Sequence, residues 1–113
     1  MRLIIGGLTT ILATFALASA TFGAANTNAL TGKVGPGFTI TMNKKTVQAG
    51  TYGITIHDLA SIHDFHLMGA GVDKKTSIPG TGTTKWTVKL KKGTYHFQCD
   101  PHRTIMHGVL NVT

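Results

Sequence analysis

From Phe38 onward, apolar and polar residues alternate one by one, the pattern of strands with a single buried face. Phe38, Ile40 and Met42 fall on one side, Thr39 and Thr41 on the other. After the turn chemistry of Asn43-Lys44-Lys45 and Ala49-Gly50, Tyr52, Ile54 and Ile56 oppose Gly53, Thr55 and His57. A strand over Ile62 to Met68 sets His63, Phe65 and Leu67 against Asp64, His66 and Met68. Gly69 to Thr84 has no period and reads as a long connection. Trp86, Val88 and Leu90 then alternate with Lys85, Thr87 and Lys89. Beyond the Lys91-Lys92-Gly93 turn, Tyr95, Phe97 and Cys99 share an apolar face, and Gly108 to Val112 is a closing strand. No segment carries a helical stripe. The pattern predicts an all-β, antiparallel two-sheet sandwich.

The N-terminal part follows a different rule. Met1-Arg2 is a short positive start, Leu3 to Leu17 is apolar and almost uncharged, and Ala18-Ser19-Ala20 is a small-x-small end. Residues 1–20 therefore read as a cleavable signal peptide, with an uncleaved membrane anchor as the alternative because the apolar run is near the lower limit for spanning a bilayer, and the destination as periplasmic or secreted. Residues 21–34 are small, polar and without period, and read as a flexible segment. Residues 35–113 remain as one folded domain.

Charge narrows the partners. The 113-residue chain has 11 Lys and Arg against 4 acidic residues, a formal charge of +7. Loss of Arg2 with the signal peptide leaves +6. Such a surface favours acidic partners. Nucleic acid is a poor candidate, because the lysines are scattered singly or in pairs along an exported chain.

Cys99 is the only cysteine. An exported chain normally pairs its cysteines, so a lone one points to another use, and metal ligation is one. Cys99-Asp100-Pro101-His102-Arg103-Thr104-Ile105-Met106 puts a thiolate, an imidazole and a thioether on one short loop. Two histidines and a cysteine in a plane, with a weak axial methionine, form the ligand set of electron-transfer copper sites. His63, on the inward phase with Phe65 and Leu67, is the best fourth ligand. His66, His57 and His96 lie out of phase with the buried faces. His107 remains as an alternative to Met106.

Together these stretches resemble a known family. Ser61-Ile62-His63-Asp64-Phe65-His66-Leu67, Gly93-Thr94-Tyr95-His96-Phe97-Gln98-Cys99, and Cys99-Asp100-Pro101-His102 with Met106-His107-Gly108 look like a cupredoxin of the plastocyanin and pseudoazurin type. The likeness runs from about Gly35 to Thr113. It implies a Greek-key β-sandwich and one type 1 copper ion held by His63, Cys99, His102 and Met106. It further implies one-electron transfer to a redox protein partner, without enzymatic activity, by a soluble monomer. Pro101, Ile105 and Gly69-Ala70-Gly71 would surround His102 as an apolar docking patch.

Two departures stand out. Three residues separate His102 from Met106, one fewer than is usual in plastocyanins and one more than in amicyanins. Asp64 occupies a position that is usually Asn, and Asp100 follows the cysteine where Ser or Thr is more familiar. If the two carboxylates meet, both cannot stay ionised cheaply. Other functions fit less well. A copper-delivery or sequestration protein could use the same ligands. A cysteine hydrolase would need an activated Cys–His pair and an oxyanion site that the sequence lacks. Zinc would leave Met106 without a role.

Overall fold

A computed structural model describes residues 28–113, together with Gly6 and Thr14. The predicted signal peptide and residues 21–27 lie outside the continuously described chain. Nine strands follow in order: β1 (Asn28–Val34), β2 (Ile40–Met42), β3 (Thr46–Val47), β4 (Gly50–Asp58), β5 (His66–Gly69), β6 (Val72–Lys75), β7 (Gly82–Leu90), β8 (Gly93–Gln98) and β9 (His107–Val112). They build two facing sheets, ordered β2-β1-β4-β7 and β3-β9-β8-β5-β6. One turn of 3₁₀ helix, Asp100–His102, interrupts the chain between β8 and β9.

Alternation holds wherever a strand has one wet face. Tyr52, Ile54 and Ile56 on β4, Val88 and Leu90 on β7, and Tyr95 and Phe97 on β8 all enter the core between the sheets. Phe65 and Phe97 stack there with ring centroids 5.5 Å apart, and Trp86 meets Phe65 edge-on.

Four expectations need correction. The segment 21–34 is not flexible throughout, because Asn28–Val34 forms β1 and buries Leu30 and Val34 completely. Its inward position between them is Gly32, which hides the strand's period. A Cβ there would stand 2.8 Å from the Phe65 ring, so the glycine makes room for the aromatic core. Second, the sheets are mixed rather than antiparallel. β1 runs parallel to β4, and β3 parallel to β9, because the β2–β3 segment crosses from one sheet to the other.

Third, Gly69 to Thr84 is not all connection. It holds β6 and the start of β7; β6 is an edge strand with three exposed residues and so lacks an apolar signature. Fourth, the strand expected from Ile62 begins at His66. Residues 61–65 form a turn and an irregular stretch, in which the Phe65 N–H donates to the Thr76 hydroxyl. His63, Phe65 and Leu67 are nevertheless fully buried, as their phase predicted.

Candidate metal centre

The site sits at one end of the sandwich, where β8 runs out. Continued alternation turns Cys99 inward after Phe97, and its thiol is fully buried. The Cys99 N–H donates to the Met106 carbonyl at 3.0 Å, closing the loop at its base. Inside it the His102 N–H donates to the Cys99 carbonyl and the Met106 N–H to the His102 carbonyl, at 3.0 and 2.8 Å. Pro101 fits because the first turn of a helix needs no donor from it. This short helical turn folds the His102 ring back toward the thiol.

His63 arrives from the irregular stretch before β5. Gly35 lies against its ring: a Cβ there would stand 3.3 Å from His63 Cδ2, and φ of +77° favours glycine as well. His63 Nδ1 faces the cluster, while Nε2 is buried without a hydrogen-bond partner.

Three donor atoms therefore converge. Cys99 Sγ lies 3.6 Å from His63 Nδ1 and 3.5 Å from His102 Nδ1, and the two nitrogens are 3.2 Å apart. The centre of that triangle is about 2.0 Å from each corner, the length of a first-row metal–imidazole bond. Nitrogen and thiolate donors without a carboxylate suit copper or zinc and exclude hard cations. Met106 is also fully buried in the core beside this loop, a thioether that adds to the soft character.

The remaining histidines are elsewhere. His107 is exposed at the start of β9, with its Nδ1 2.8 Å from the Arg103 carbonyl. His57 is exposed and meets the Thr83 hydroxyl, and His96 is exposed on β8. Gly69-Ala70-Gly71 does not border the site. The Tyr95 hydroxyl donates to the Ala70 carbonyl beside Lys91, at the end of β8 remote from Cys99. A different residue takes that place: Phe38 packs edge-on against both His63 and His102, at 5.4 and 5.0 Å. Alternation predicts a strand face shared by Phe38, Ile40 and Met42, but Phe38 is 55 % exposed in the loop before β2. The only signal was the Gly35-Pro36-Gly37 break just ahead of it.

Behind the donors Asp64 and Asp100 do meet, in a polar clamp that Gln98, His66 and Asp73 extend through contacts their spacing does not predict. Asp64 is buried, and its Oδ1 accepts the Asp100 N–H at 2.6 Å. Burial pushes Asp64 above the ordinary carboxylate range, and the Asp100 charge beside it adds to the rise. Burial acts on Asp100 in the same direction. It is outweighed by the Gln98 amide and the His66 ring, which hold Asp100 below that range. Of the two carboxyls, Asp64 is thus the one raised above the ordinary range and Asp100 the one held below it. Burial and the nearby Asp64 charge also raise the Cys99 thiol, so a metal must displace its proton to gain the thiolate.

His66 spans two carboxylates, with Nδ1 2.8 Å from Asp100 and Nε2 against Asp73. A carboxylate can only accept when ionised, so both ring nitrogens carry protons. Burial alone would lower this histidine, but Asp100 and Asp73 outweigh it and raise its pKa. Its contribution is therefore complete below the ordinary histidine range and is lost as pH rises through the raised value. His66→Asn should cost about 1 kcal/mol at pH 6. The difference from the parent should shrink on the alkaline side. Urea unfolding of both proteins at pH 6 and pH 9 measures it, and a pH-independent difference would contradict the clamp.

The fold and the donor set define a copper-binding β-sandwich. The family model of copper binding proteins, plastocyanin/azurin family, matches residues 15–113, and the chain belongs to that family. No curated protein sequence matches it. Among solved structures, reduced rusticyanin superposes with a TM-score of 0.59 at 22% identity, covering 75% of this chain and 78% of its own. An oxidised amicyanin variant gives 0.55 at 20%, covering 76% and 83%. Auracyanin A, a blue copper protein from the photosynthetic bacterium Chloroflexus aurantiacus, gives 0.53 at 16%, covering 75% and 98%. The fold is thus the Greek-key sandwich expected of a cupredoxin, and its His63, Cys99 and His102 centre takes one copper ion.

Proposed function

We propose that this protein is an exported one-electron carrier, with His63, Cys99 and His102 as the planar copper ligands and Met106 as the axial one. The observation that carries the reading is the buried triangle of Cys99 Sγ and two imidazole nitrogens. When bound, copper in this set supplies a Cu(I)/Cu(II) couple. The chain's part is to hold the donors still. His63 is locked by burial against Gly35 and Phe38, and the other three ligands are locked by the hydrogen-bonded 99–106 loop. Donors that do not move between oxidation states keep the reorganisation of electron transfer small. The role is carriage rather than catalysis.

His102 is the half-buried imidazole of the pair and serves as the port for the electron. Phe38, Ile62 and Ile105 are exposed on the segments that carry or touch the histidines, an apolar surface suited to a redox protein partner. Among the described residues no lysine or arginine is held in an ion pair, so the whole cationic excess faces outward. This favours a partner with an acidic docking face. The mature chain acts as a soluble monomer in the periplasm or outside the cell. No helix among the described residues is long and apolar enough to cross a membrane.

The test is electrochemical. One equivalent of Cu(II) should give an intense thiolate-to-copper absorption and a reversible wave at an electrode. Rapid loss of the metal to a chelating partner, with no reversible wave, would instead make the protein a delivery or sequestration factor. Ile105, 63 % exposed, is a further probe. Ile105→Lys should slow electron exchange with the partner about tenfold, the size of a typical interface penalty of about 1.4 kcal/mol. Its copper spectrum should match the parent's, and an unchanged rate would remove Ile105 from the docking surface.

A further inference from the structure

The outer face of the five-stranded sheet carries donors that the buried centre does not use. Met68 on β5 is the direct neighbour of His96 on β8, and His96 is opposite Val109 on β9. His107 is opposite Gln98, which makes it the diagonal neighbour of His96. The bond from the Cys99 N–H to the Met106 carbonyl sets the phase of this ladder. The pairs 96–109 and 98–107 then fall in the non-hydrogen-bonded phase, where facing side chains approach most closely. Diagonal partners on such a face are about 7–8 Å apart, within reach of two imidazoles. Met68, His96 and His107 also line one open groove of about 370 Å³.

The chemistry of the groove selects its ligand. His107 Nδ1 faces the Arg103 carbonyl, which can only accept, so Nδ1 is the donor and Nε2 is the nitrogen left to take a metal. A ring fixed through one N–H by a backbone carbonyl is the usual arrangement of a metal-bound histidine. His96 is exposed and its ring makes no hydrogen bond among the described residues. Gln98 donates to Asp100 and does not compete. No carboxylate lines the groove, which disfavours calcium and magnesium. Arg103 lines it too, but its side chain is exposed and its charge is screened by water.

We infer that His96 and His107, with Met68 as a soft third donor, form a second copper site on this outer face, separate from the buried centre. The site stands independently of the electron-carrier reading, since neither imidazole belongs to the buried donor set. Copper is the metal it takes because imidazole suits both oxidation states and the thioether favours Cu(I).

The experiment is a Cu(II) titration of the full chain, followed by absorption and electron paramagnetic resonance. The first equivalent should develop the thiolate band. The second should add a new resonance with no further thiolate absorption. His96→Gln and His107→Gln should each weaken the second equivalent at least tenfold and leave the first band in place. After reduction with excess ascorbate under anaerobic conditions, a Cu(I) chelator should remove the second ion from Met68→Leu about tenfold more readily than from the parent. A stoichiometry of one, or a second equivalent indifferent to both histidine substitutions, would overturn the site. Failure of the first band instead would count against the buried centre alone.

Discussion

Replacing Cys99 with serine is expected to leave a protein that no longer colours with Cu(II) and binds it at least a hundredfold more weakly. The reason lies in the donor chemistry. The thiolate is the only charged, soft ligand in the buried triangle, and the absorption arises from it. A hydroxyl is harder and holds its proton far more tightly, so His63 and His102 are left as a two-nitrogen site. Serine is nearly isosteric, and the bond from residue 99 N–H to the Met106 carbonyl survives because it uses only backbone. Burying a hydroxyl in place of the thiol costs about 1–3 kcal/mol of stability, which a domain of this size tolerates. Optical titration with Cu(II), beside the far-ultraviolet circular dichroism of the metal-free protein, separates ligand loss from unfolding. A folded serine variant that kept the band would disprove Cys99 as the ligand.

Phe65→Ala should be the most damaging single truncation of the core. Phe65 is fully buried, stacks on Phe97, meets Trp86 from the opposite sheet and fills the space left by Gly32. Phenylalanine-to-alanine changes in such positions cost about 3–5 kcal/mol. That is a large part of the about 5–15 kcal/mol of a whole domain. Thermal unfolding of the metal-free protein should show a midpoint lower by well over about 10 °C, since each kcal/mol is worth roughly 4–8 °C here. The metal must be left out because binding to the native state would mask part of the loss. Phe65 also stands two residues from His63 and one from Asp64. Copper affinity should therefore fall in the same variant even where it remains folded. A loss below about 1 kcal/mol would mean that the two sheets are held together elsewhere.

Much of this was legible in the chain because a period of two is a local property. Tyr52, Ile54 and Ile56, or Tyr95, Phe97 and Cys99, announce their burial by spacing alone, and the inward aim of the thiol follows from that count. The phase of His63 with Phe65 and Leu67 was readable in the same way, although no strand forms at His63. Where the local signal was weak, the reading failed. β1 is interrupted by Gly32, which is small only because a ring from a distant segment occupies its space. β6 is an exposed edge without a buried partner face to pattern it.

The sequence by itself determined most strand faces and the cationic surface, and it pointed to His63, Cys99, His102 and Met106 as copper-type donors. The tertiary structure alone decided how His63, Cys99 and His102 meet: at corners 3.2 to 3.6 Å apart, with Phe38 laid over the two imidazoles. It also decided that Asp64 is the carboxyl raised above the ordinary range, while Asp100 pairs with His66 and is held below it. The reason is physical. Spacing along a strand fixes which way a side chain points, whereas distances across 36 or 39 residues are set by how two sheets pack. Pairings such as His66 with Asp73 and Asp100, or His96 beside Met68 and His107, exist only once register between strands has been chosen.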